Sequence, residues 1–104
     1  MNQVLRVFQT AVDPADIATV RELFAEDIVP AYAGLVGCLG VELVMSVDHN
    51  AGGLVEGAAI SRWASLDEMD RGVSSRDARE SQVRIFELLR QEPVVRVFEV
   101  LCPA

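Results

Sequence analysis

Along the chain the spacing of apolar residues changes several times, and each change marks an element. Val4 to Val12 is a run of β-formers stopped by Asp13-Pro14. Asp13 is suited to cap free backbone N–H groups, and Pro14 suits a first helical position. Ile17, Val20, Phe24 and Ile28 then recur at helical spacing with Leu23 beside them, which predicts an amphipathic helix ending near Pro30. A glycine-rich connection, residues 34–40, leads to a strand over Val41–Val47, a polar hairpin loop over Asp48–Gly53 and a return strand from Leu54 to Trp63. Ser65 and Glu68 form a capping box for a short helix that Gly72 is expected to end. Ser74 or Ser75 opens a longer helix carrying Val83, Phe86 and Leu89, with Ile85 and Leu88 alongside and Glu80 one turn before Arg84. Glu92-Pro93 halts it, and Val94 to Leu101 is the closing strand.

The order β-α-β-β-α-α-β contains no linker and no repeat, so it reads as one α+β domain over residues 1–104. Two crossovers sharing a central hairpin give the ferredoxin-like split βαβ arrangement with an antiparallel four-stranded sheet. An exposed antiparallel sheet should alternate apolar with polar residues. Here Val4 and Phe8 oppose Leu5 and Val7 in the first strand, and Val94 and Phe98 oppose Val95 and Val97 in the last. Both faces look apolar, while one helical layer covers only one. A second copy of the chain is the expected cover.

Composition sharpens that expectation. Apolar residues make up 51% of the 104, and the mean hydropathy is +0.27, which is greasy for a domain with so much surface per volume. Such a chain hides surface against a partner or lines an apolar cavity. No apolar run approaches the roughly 18 residues of a membrane span. The stretch Met1-Asn2-Gln3-Val4-Leu5-Arg6 has no secretion-signal pattern, so a cytoplasmic location is expected, with Cys38 and Cys102 reduced and unbridged. A net charge of −7 without a basic cluster argues against nucleic acid and anionic membrane as partners. All nine basic residues are arginines, which excludes Schiff-base and phosphate-loop lysines.

Candidate chemistry is sparse. His49, the only histidine, sits in the expected hairpin loop as a solvated residue, and with two scattered cysteines it makes no recognisable metal-ligand spacing. Cys38 has no basic neighbour to activate it and reads as a small buried hydrophobe. Arg6 and Arg96 lie in strands expected to be neighbours, with Glu42, Glu56 and Glu99 on the same sheet. They fit an ion pair within or across a dimer better than an anion grip. Tyr32 follows the first helix, where its hydroxyl could reach a pocket mouth or face water. Trp63 fits two roles, stacking against a flat substrate or anchoring the hairpin to the helices.

The length, the element order, the glycine turn before strand two and the stretch Ile60-Ser61-Arg62-Trp63-Ala64-Ser65-Leu66-Asp67-Glu68 together resemble the antibiotic biosynthesis monooxygenase-like family of dimeric α/β barrels. One departure is Val36, where the family commonly has proline. The resemblance implies a homodimer with its sheets face to face and a pocket in each subunit between helices and sheet. Characterised members include cofactor-free oxygenases of quinols or aromatic polyketides, and enzymes that open haem. The haem branch uses an asparagine in strand one, absent here, and its tryptophan and histidine fall at Gly72 and Gln82. The polyketide branch uses an asparagine and a tyrosine where Ala59 and Met69 stand; Trp63 alone is retained. The expectation is a cofactor-independent monooxygenase-like protein acting on a quinol or polycyclic aromatic. Trp63 would be the platform, Phe8, Phe24, Met69 and Phe86 the walls, and Tyr32 would lie at the mouth, with no proton acceptor assigned. The alternative is a non-catalytic homodimeric module binding a small apolar ligand.

Overall fold

The computed structural model describes residues 2–103, apart from the side chains of residues 49–51. Strand β1, Val4–Val12, runs into a single 3-10 turn, Pro14–Asp16, capped by the Asp13 carboxylate accepting from the Ala15 N–H at 2.8 Å. Helix α1 follows in three parts: α-helical Ile17–Leu23, a π turn Phe24–Ile28, and α-helical Val29–Ala33. The helix therefore passes Pro30 rather than ending there. A proline inside an α-helix clashes with the carbonyl four residues back. Here the backbone widens just before it, with the Val29 N–H reaching back to the Phe24 carbonyl.

Strand β2, Cys38–Ala51, pairs with β3, Leu54–Trp63, through a turn made by Gly52 and Gly53 alone, at φ 59° and 78°. Two consecutive positive φ values are the requirement of the two-residue turn that matches strand twist, and glycine meets it without strain. The expected loop over Asp48–Gly53 is thus mostly strand. His49 lies on the backbone of β2, and the reading of its imidazole falls outside the described residues. Helix α2, Leu66–Val73, starts on the predicted cap, Ser65 Oγ accepting from the Glu68 N–H at 3.2 Å, and runs one residue past Gly72. Ser75 caps α3, Arg76–Ser81, and a break at Gln82 separates it from α4, Val83–Phe86. The predicted Glu80–Arg84 pair does not form. Glu80 instead meets Arg76 at 2.7 Å, and Arg84 reaches across to hold both carboxylate oxygens of Asp27 on α1. The planar fork of a guanidinium matches a carboxylate two-pronged, which a single contact within one helix does not offer.

Strand β4, Val94–Glu99, is shorter than the predicted Val94–Leu101. The four antiparallel strands order β2-β3-β1-β4, so the architecture is α+β, ferredoxin-like, as expected. The helices pack on the face carrying Val4, Phe8 and Trp63: Val20, Phe24, Ile28, Tyr32, Ala78 and Ile85 complete a core with Val4 and Trp63, and Phe86 stacks on Phe8. No helix among the described residues covers the opposite face. Its cross-strand rows are Leu5 beside Phe98, Val7 beside Ile60, and Ala58 beside Val44, with Val44, Val94 and Phe98 exposed. Strand β4 is exposed on both its faces, so the chain by itself leaves bare the apolar surface that its sequence foretold. No helix among the described residues is long and apolar enough to cross a membrane.

Candidate functional site

On the helix-facing side of the sheet, β3 presents Val55, Gly57, Ala59 and Ser61, each opposite a β1 residue on the same face. These are small side chains for a floor, and the helices above cannot settle far enough to fill the space. A cavity of about 620 Å³ remains, within the size range of small-molecule sites. Phe24, Ile28 and Ile85 form its roof, and Phe8 stacks on Phe86 in its wall with ring centroids 5.5 Å apart and planes at 20°. Phe86 is partly exposed, so this pair stands between the cavity and solvent.

Beside the apolar residues the lining includes Thr10, Ser61, Arg21, Glu42 and Glu56, together with Tyr32, Gln82 and Arg6. The Tyr32 hydroxyl accepts a hydrogen bond from the Gln82 side-chain amide at 2.9 Å, and both residues line the space. Burial makes the tyrosine harder to ionise, while the Arg6 charge and the Gln82 bond pull the other way without overcoming it. Tyr32 is thus a buried cavity-lining residue, which decides between the two positions left open for it. Arg6, half-buried on β1, also lines the cavity. Its register partner on β4 is Val97, whereas Arg96 pairs with Val7, so the two arginines lie on opposite faces. Neither has a carboxylate partner among the described residues, so the expected ion pair does not form within one chain. Each instead lies near an aromatic ring: Arg6 at 5.8 Å from the Phe8 centroid, Arg96 at 5.4 Å from that of Phe98.

Phe8, Phe24, Tyr32 and Phe86 thus border one cavity. Trp63 and Met69 do not: of the two roles open to Trp63 the geometry fits the anchor and not the platform, and Met69 is not a wall. The indole is 0% exposed. Its N–H donates to Ser61 Oγ at 2.8 Å, and its ring meets Tyr32 edge-on at a centroid distance of 6.0 Å. No ring face is left for a ligand. Met69 is buried beneath it in the same core. The small Gly72 is what allows this, since a Cβ there would run into the indole. Trp63 supports Tyr32 from behind rather than facing the cavity. Gln82 is a cavity residue that sequence reasoning passed over as a mere absence of histidine. The helix break that places it has no strong local sequence signature.

Among the described residues no group of three His, Cys, Asp or Glu side chains is arranged to hold a metal. Both cysteines are free; burial pushes the Cys38 thiol up, away from the reactive thiolate.

This sheet, helix arrangement and cavity can be set beside known proteins. No family model matches the sequence, and no curated protein matches it. Solved structures do. SnoaB, a cofactor-independent oxygenase of Streptomyces nogalater, superposes with a TM-score of 0.78 at 17% identity, over 99% of this chain and 97% of that one. A candidate antibiotic biosynthesis monooxygenase of Bordetella bronchiseptica gives 0.81 at 19% identity, over 98% and 100%. The fold is that of the antibiotic biosynthesis monooxygenases. A protein of Mycobacterium tuberculosis is similar over 98% of both chains, at 22% identity and a TM-score of 0.75. Identities this low bear on the fold alone.

Proposed function

We propose that the chain is a one-domain homodimeric, cofactor-independent monooxygenase-like protein that takes a quinol or polycyclic aromatic into the cavity beneath α1 and α3–α4. The observation that carries this reading is the cavity itself: about 620 Å³, roofed and walled by Phe8, Phe24, Ile28, Ile85 and Phe86, with Tyr32, Gln82 and Arg6 among its polar groups. Flat aromatic walls favour a flat aromatic ligand. The likeness in fold to a cofactor-independent oxygenase supports the reaction class.

The chemistry asks little of the protein. An ionised quinol gives an electron to dioxygen, and the two radicals join, forming a C–O bond at a ring carbon. Protonation of that peroxide, loss of the ring carbon's proton and cleavage of the O–O bond then release water. Hydroquinone and dioxygen give a hydroxylated quinone and water, so the substrate supplies every electron. The cavity contributes orientation and exclusion of bulk water. Homodimerisation would cover the bare sheet face, where Leu5, Val7, Ile60 and Phe98 lie.

Oxygen-electrode screening against hydroquinones and hydroxylated polycyclic aromatics, with product mass, tests the reading. Uptake that saturates with substrate and adds one oxygen supports it. A panel in which ligands bind without uptake selects the non-catalytic ligand-binding module.

A further inference from the structure

Arg6 is a half-buried charge in the cavity wall, on the sheet face opposite to the one carrying Glu42 and Glu56, which also line the space. Elsewhere the arginines that form ion pairs do so on exposed surface: Arg76 with Glu80, Arg84 with Asp27, Arg90 with Asp16. Arg6 is half-buried, yet among the described residues its guanidinium has neither a salt-bridge partner nor a hydrogen bond. The nearby Phe8 ring compensates only weakly at 5.8 Å. Removing a cation from water without pairing it is costly, so a group in this position is poised to gain from an incoming anion.

The surroundings define that anion. Ser61 stands opposite Arg6 across the β1–β3 pair, but its hydroxyl is occupied by the Trp63 indole. The Tyr32 hydroxyl accepts from Gln82, so its own proton remains available, and the Trp63 ring that bonds Ser61, the residue opposite Arg6, meets Tyr32 edge-on. Two donors, one cationic and one neutral, therefore border the same space as the rings of Phe8, Phe24 and Phe86. A free carboxylate or phosphate would satisfy the donors and leave the aromatic walls without a partner. A neutral hydrocarbon would do the reverse.

Resting on the reading of the cavity as an aromatic-ligand site, we propose that Arg6 and Tyr32 form an oxyanion-binding pair that takes aromatic ligands in their ionised-hydroxyl form. The ring lies along the Phe8–Phe86 wall, and the ionised oxygen meets the guanidinium and the Tyr32 O–H. The ligand class is thus narrowed to aromatics bearing an acidic hydroxyl, and the pair favours the form that donates electrons most readily.

Two probes of nearly equal shape separate charge from shape: 2-hydroxy-1,4-naphthoquinone, ionised at neutral pH, and its neutral 2-methoxy counterpart. Binding is followed by the visible absorbance of the quinone on the intact protein, with sedimentation as a check on assembly. The hydroxy compound is expected to bind more tightly. Arg6→Gln should cost it about tenfold to a hundredfold in affinity, the range for a hydrogen bond to a charged group, and change the methoxy compound little. Tyr32→Phe should act in the same direction to a smaller degree. Should Arg6→Gln fail to fold, the wild type still decides. Affinity for the hydroxy probe must fall as pH drops through that probe's own ionisation, while the methoxy probe stays constant. Equal binding of both probes, with no such pH dependence, overturns the oxyanion pair and leaves the aromatic cavity standing. Loss of both probes together in Arg6→Gln, with weakened assembly, also overturns it, because Arg6 would then pair across the dimer. Binding of neither probe by the wild type counts against the cavity reading itself.

Discussion

A Cβ placed on Gly72 would stand 2.5 Å from Cη2 and 2.6 Å from Cζ3 of Trp63, so the indole occupies the space a side chain at Gly72 would need. The backbone of α2 and the ring are in direct apposition, and the ring in turn carries Tyr32 on its edge. A glycine in the last turn of a helix thereby sets the position of a cavity residue on another helix.

Gly72→Ala should therefore destabilise the fold by about 1–3 kcal/mol, as overpacking does in a well-filled core. Denaturant unfolding measures this. Gly40→Ala is the control, since nothing lies within 4 Å of a Cβ there, and its unfolding midpoint should change little.

Trp63→Phe should lower stability by about 1–3 kcal/mol and leave ligand affinity close to that of the wild type. The indole is buried and bonded to Ser61, so the change leaves a gap and a buried hydroxyl without its donor. One variant examined by both a melt and a ligand titration separates this role from stacking. Weakened binding with an unchanged melt would restore Trp63 to the site.

The local features were legible because they are written locally. Asp13, Ser65 and Ser75 each cap the turn that follows them, and the Gly52-Gly53 pair turns the hairpin. The bare sheet face could also be foreseen, since alternation along β1 and β4 is a property of each strand by itself. What escaped depends on distant partners. Pro30 reads as a helix stop unless the widened turn before it is known. Arg84 reads as the partner of Glu80 until α1 brings Asp27 to it. Trp63 stays open between platform and anchor until Gly72 is seen to receive it. Arg6 reads as half of an ion pair because the sheet holds several glutamates, and only the register shows that Ser61 and Val97, not a glutamate, stand beside it within the chain.

Tyr32 is the only tyrosine, so its ionisation can be followed by phenolate absorbance alone. Burial raises its pKa above the ordinary 10.0, with the Arg6 charge and the Gln82 bond partly opposing. In the folded protein the midpoint of phenolate formation should therefore lie above the ordinary 10.0. An unfolded chain releases this proton first. The stability Tyr32 contributes is thus complete below that pH and is lost as pH rises through the higher folded-state value. Titration at or below the ordinary value would mean that the ring is wetter than described.

Sedimentation equilibrium at micromolar concentration should give twice the chain mass of 11.3 kDa, as expected of an isologous pair. Phe98→Asp, on the uncovered face beside Leu5, should shift the equilibrium toward monomer. A wild-type monomer with a stable fold would leave the apolar face unexplained and contradict the assembly.

The cavity as the seat of reaction is tested most directly by the rate of oxygen uptake with a saturating quinol, compared between the wild type and Ala59→Phe. Ala59 lies on the cavity floor between Phe8 and Leu43, so a phenyl ring there fills the space without touching the uncovered sheet face. Uptake by the wild type and its loss in a variant of unchanged assembly is the predicted result. Equal uptake by both proteins, or none above the buffer rate from either, would contradict the account.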